Sequence, residues 1–73
     1  MYVLELSCFY QDSGAALVKV GVLVGAVEEE RFTRKKHDTA FPSHAVQYCL
    51  DQAGITIDEV DRIGIYEALI VND

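Results

Sequence analysis

Apolar and polar residues alternate at the start of the chain. Tyr2, Leu4 and Leu6 stand against Val3, Glu5 and Ser7, which predicts a strand over residues 2–8. A polar turn, QDSG, follows at residues 11–14. Residues 15–20 and 22–27 are two valine-rich runs joined through Gly21, which predicts a hairpin. A type I′ turn would place Val20 at positive φ, which a β-branched side chain resists. A type II turn with Gly21 in the positive-φ position is therefore expected.

The period then changes. Ala45, Val46, Cys49, Leu50 and Ala53 recur on one face at helical spacing, and Pro42 suits a first helical position. Gly54 is a stop signal after which Ile55 can fold back onto the apolar face. Thr56 and Glu59 have capping-box spacing for a further short turn. Residues 62–67, RIGIYE, read as a last strand. The order is β-β-β-α-β, an α/β chain whose helix can cross over and bring the fourth strand parallel to the first.

One helix covers one face of a sheet, whereas sheets with parallel strands normally have both faces covered. The stretch 17–27 is apolar on both sides of its strands, as expected where further protein packs. The pattern predicts a piece of a longer chain, a chain with an obligate partner, or one that self-associates. A small free-standing α+β domain is the alternative.

Composition narrows the class. Seventy-three residues make one domain at most. The net charge of −6 and a pI near 4.6 argue against nucleic acid as the main partner. No apolar run approaches the ~20 residues of a membrane-spanning helix. The opening MYVLEL lacks the basic region of a signal peptide, and Cys8 and Cys49 lack metal-ligand spacing, so a cytoplasmic protein with reduced thiols is expected.

Against the acidic background, residues 28–38 (EEERFTRKKHD) hold four of the chain's six basic residues, Arg31, Arg34, Lys35 and Lys36. A positive cluster of this kind favours a local anion, and arginine forks and lysine charges suit phosphate and carboxylate. A solvated loop of mixed charge is the competing reading. At least one of Glu28, Glu29 and Glu30 is expected to pair with Arg31 or Arg34.

Together, MYVLELS at residues 1–7, DSGAAL at 12–17, AVEEERFTRKKHD at 26–38, FPSHAVQYCLDQAGI at 41–55 and DEVDRIGIYE at 58–67 resemble the N-terminal segment of the carbamoyltransferases of the nodulation-protein and antibiotic O-carbamoylation type. The resemblance spans nearly all of residues 1–73. It implies the opening of an actin-like, ribonuclease-H-like ATPase domain, incomplete in this chain. It also implies use of carbamoyl phosphate and ATP to form a carbamoyl-adenylate, with transfer of the carbamoyl group to a hydroxyl of a sugar or antibiotic. ATP and a divalent metal ion are the family's cofactors. The family's metal-binding histidine pair lies beyond this chain, and neither His37 nor His44 stands in for it.

By the same resemblance Asp12 takes a catalytic place beside Gln11, which stands where the family has His. Ser13, Arg34, Lys36 and His37 take substrate- or nucleotide-binding places, with Lys36 the first choice for a carbamoyl or phosphate oxygen. The family also carries Gly at the positions of Glu5 and Cys8, and Asp at that of Val20. From the residues alone, Asp12 and Ser13 read as turn residues, Arg34 and Lys36 as surface cations, and His37 equally as part of an anion site or as a loop cap. A non-enzymatic remnant or interaction module is the second reading. The start of another actin-like ATPase, such as a sugar kinase or a threonylcarbamoyl enzyme, is a third.

Overall fold

The computed structural model describes residues 1–9 and 12–66. Strands β1 (Tyr2–Ser7), β2 (Gly14–Lys19) and β3 (Val22–Glu28) are followed by a single helical turn, α1 (Glu30–Thr33). The main helix α2 (Ser43–Ala53), a 3₁₀ turn (Ile57–Glu59) and β4 (Arg62–Tyr66) complete the order. The sheet runs β3-β2-β1-β4, with β1 antiparallel to β2 and parallel to β4. The β-β-β-α-β order and the parallel fourth strand are those the periodicity predicts. The last residue of the predicted final strand, Glu67, lies outside the described residues. The turn α1 is an addition, formed inside the stretch read from sequence as a loop.

The helix ends where its glycine stops it. Gly54 is left-handed, with φ 70°, and the Ile55 N–H reaches back to the Leu50 carbonyl at 3.1 Å. Helix α2 buries Ala45, Cys49 and Leu50 and lies over β2 and β3. Ala45 and Cys49 pack with Leu4, Leu6, Ala15 and Leu17 of the sheet, and Val46, Ala53 and Ile55 fill the margin. Burial pushes the Cys49 thiol pKa up, consistent with a core residue. The capping box of Thr56 and Glu59 forms as the spacing predicts.

The hairpin corrects the expected turn. Lys19 pairs with Val22, and both Val20 (φ 49°) and Gly21 (φ 80°) have positive φ, the combination of a type I′ turn. A two-residue link between right-twisted strands favours that turn, and this requirement overrides the resistance of the β-branched Val20. Pro42 also shifts by one position: it is the cap before Ser43, not the first helical residue.

Helix α2 leaves much of the sheet uncovered. Val22 and Leu23 on the β3 edge and Ile63 and Ile65 on β4 are exposed. No helix among the described residues is long and apolar enough to cross a membrane.

Candidate functional site

The loop after β1 and the loop before α2 are stitched together by backbone bonds. The Phe9 N–H donates to the Thr39 carbonyl at 2.6 Å, and the Ser13 N–H to the Asp38 carbonyl at 2.7 Å. The Ser13 hydroxyl donates to the Ala40 carbonyl, and the Ser7 hydroxyl to the Asp12 carbonyl at 3.0 Å. On the outer surface of this double loop, His37 Nδ1 lies 3.3 Å from Asp12 Oδ1. A carboxylate can only accept, so the contact needs the proton on Nδ1. Two residues 25 apart in sequence thus form one acid–imidazole pair, accessible from solvent.

The other predicted site residues fall in different places. Ser13 is buried, and its hydroxyl is engaged by Ala40, so in this structure it ties the loops together instead of facing a ligand. Arg34 ends α1 in the left-handed conformation, with φ 61°. It lines a surface groove with Glu28, Glu30, Arg31 and Tyr48, a set that does not include Asp12 or His37. Lys36 is exposed beside His37. Gln11 lies outside the described residues.

Two residues matter more than the sequence indicates. Glu29 is a buried carboxylate set against the start of α2. It accepts the Ala45 N–H at 2.8 Å and the His44 N–H at 3.2 Å, and its Oε2 lies 2.6 Å from His44 Nδ1. Pro42 at the cap has no side-chain acceptor, so the acceptor for the helix's first N–H groups comes from a glutamate in another element. The negative charge also suits the positive end of the helix dipole. The expected glutamate–arginine pair is not what forms. Among the described residues the close contacts between a carboxylate and a basic side chain are His37–Asp12 and His44–Glu29. Phe32 of α1 stacks on the His44 ring at 6.0 Å, which closes this corner.

The second such residue is Asp38. Its carboxylate accepts the Thr33 hydroxyl at 2.8 Å and the Ala40 N–H at 3.0 Å. These bonds, the Ala40 N–H first, hold its carboxyl below the ordinary aspartate range. An Asx turn two residues ahead of Ala40 was a readable signal for Asp38. No local pattern links Glu29 to a helix that starts 14 residues later.

The family model for the carbamoyltransferase N-terminus matches residues 2–73. An uncharacterized protein of Synechocystis sp. is 57% identical over 70 residues, covering 96% of this chain and 11% of that protein. The nodulation protein NolNO of Sinorhizobium fredii is 43% identical over 58 residues, 80% of this chain and 8% of its own length. An uncharacterized 19.2 kDa protein of Rhizobium etli is 41% identical over 58 residues, 80% of this chain and 34% of its own length. The chain therefore spans between about a tenth and a third of the length of these relatives. With the family model matched over almost every residue, the chain belongs to the carbamoyltransferase N-terminus family.

Proposed function

We propose that this chain forms the opening of an ATP-dependent carbamoyltransferase, the first part of an actin-like ATPase domain. In this reading it works with further protein to move a carbamoyl group from carbamoyl phosphate, through carbamoyl-adenylate, to a hydroxyl of a sugar or antibiotic. The observation that carries the reading is the Asp12–His37 pair on two loops bonded to each other, in a member of this family. Transfer from the adenylate to a hydroxyl forms a carbon–oxygen bond, breaks the bond to the leaving AMP and releases one proton. Asp12 accepts that proton, and the His37 Nδ1–H keeps the carboxylate oriented. Lys36 beside this pair offers a point charge to a carbamoyl or phosphate oxygen, and Arg34 offers a second cation farther along the block.

Among the described residues no group of three or more His, Cys, Asp and Glu could hold a metal ion. ATP, when bound, supplies the activating adenylyl group, and the exposed cations at residues 34–36 are the part of this chain suited to its phosphates.

The test uses a full-length relative carrying this segment, with labelled carbamoyl phosphate, ATP and a set of hydroxyl acceptors. Asp12→Asn should lower transfer by about 10²–10⁴-fold, the usual contribution of a positioned acid or base. Lys36→Ala should cost about tenfold to a hundredfold, as for a charge-assisted contact, and Lys35→Ala much less. Transfer at the parent rate in Asp12→Asn, with equal effects of the two lysines, would overturn the reading. The uncovered sheet supports a second reading, an interaction module without chemistry. That reading gains if the full-length protein binds its partners and transfers nothing.

A further inference from the structure

Among the described residues the buried polar and charged side chains are Ser13, Glu29 and Asp38, at 1%, 2% and 8% exposure. Buried polar groups need partners, and these three find them in one continuous frame. The Glu29 N–H donates to the Ser13 carbonyl at 2.9 Å, and the Thr33 N–H to the Glu29 carbonyl at 3.1 Å. The Thr33 hydroxyl donates to Asp38, and the Asp38 carbonyl accepts from Ser13. The bond between Ser13 and Asp38 joins the residues that directly follow Asp12 and His37.

The pair itself has little to hold it. The side chains of His37 and Asp12 are 81% and 47% exposed, and exposed ion pairs contribute little on their own. His37 also sits at φ 54°, a left-handed conformation that persists in a non-glycine residue when its surroundings over-determine it. The neighbour that does so is Asp38, whose side chain is fixed on both oxygens and whose carbonyl is fixed by Ser13.

We propose that Asp38 is the positioning residue of the Asp12–His37 pair: by bonding Thr33, Ala40 and Ser13 it sets the backbone of His37 and so holds Nδ1 against Asp12. The proposal rests on the reading above that Asp12 and His37 are the working pair. Ser13 is the second member of the brace, through its hydroxyl to Ala40. The ionised form of Asp38, favoured by its two donors, is the form that makes both side-chain bonds.

The test is a long-range proton–nitrogen NMR spectrum of the 73-residue chain labelled with ¹⁵N-histidine. At about pH 9 imidazoles are neutral, and the spectrum reads which ring nitrogen carries the proton. The parent should show His37 mainly protonated at Nδ1. Asp38→Ala should lower the Nδ1–H to Nε2–H ratio of His37 at least threefold. The ratio of His44, whose Nδ1 faces Glu29, should stay unchanged and shows that the fold persists. An unchanged His37 ratio in Asp38→Ala with His44 intact overturns the proposal. If Asp38→Ala loses the His44 signature by unfolding, Ser13→Ala decides. A smaller fall at His37 alone supports the brace, and no change overturns it. A fall at His37, with unimpaired transfer by Asp12→Asn in the full-length relative, would keep the positioning role and remove the transfer reading.

Discussion

The two ends of the sheet handle strained backbone in opposite ways. At the loop end, His37 lies in the left-handed region, and the residues around it are tied by the bonds of Ser13, Asp38 and Thr33. At the hairpin end, Val20 lies in the same region with 73% of its surface exposed, and its N–H donates to the Met1 carbonyl at 3.1 Å. Strain that a framework enforces points to a working site, whereas strain left in a bare turn points to a replaceable residue. The buried polar side chains, the acid–imidazole pair and the basic block all lie toward the loop end.

The largest expected effect lies beneath both ends. Leu50→Ala should destabilise the fold by roughly 2–5 kcal/mol, the cost of emptying a buried leucine site. Gln47→Ala, which loses only an exposed bond to Asp51, should cost about 0.5 kcal/mol or less. Urea midpoints measure both, and similar shifts would mean that the helix buries a different face.

At the loop end, Glu29→Ala should cost roughly 2–3 kcal/mol, because it leaves the first N–H groups of α2 without their charged acceptor. The same change at the neighbouring exposed Glu28 should fall within about 0.5 kcal/mol. Equal midpoints for the two variants would remove Glu29 as the anchor of the helix. At the hairpin end the sign reverses. Val20→Asn should stabilise the chain by about 1 kcal/mol, since asparagine accepts positive φ and a β-branched residue does not. A lower melting temperature for Val20→Asn would contradict the type I′ turn.

Acid separates the two ends more finely. The Asp38 carboxyl is held below the ordinary value of 3.8, so its contribution is complete above that value and is lost as pH falls through the lower folded value. Asp38→Asn should therefore flatten the loss of stability as pH falls below the ordinary aspartate value of 3.8, whereas Val20→Asn should leave its slope unchanged. Parallel acid profiles for the parent and Asp38→Asn would show that Asp38 is not bonded as its carboxylate.

What was readable from sequence follows from which physics is local. The spacing of Ala45, Cys49 and Leu50, the stop at Gly54 and the Thr56–Glu59 box are near-neighbour signals, and they form as predicted. The turn at Val20 departs from the expected type II because the twist of the paired strands decides it, and one residue's preference does not. Local charge pattern offers Glu28, Glu29 or Glu30 to a nearby arginine, yet the partners of Glu29 are the first N–H groups of a helix, 15 and 16 residues away. In sequence Asp12 and His37 are separate candidates 25 residues apart, and only the folded loops bring them to 3.3 Å. Ser13, expected at a ligand, is drawn inward by the same loop closure.

The central claim is that Asp12 and His37 act as one unit in carbamoyl transfer. A double-mutant cycle on kcat/KM in the full-length relative tests it most directly, using Asp12→Asn, His37→Gln and the double variant. The account predicts that the double variant is no more than about threefold worse than Asp12→Asn alone, because the second change removes a partner already lost. Effects that multiply, or a His37→Gln variant as active as the parent, would contradict it.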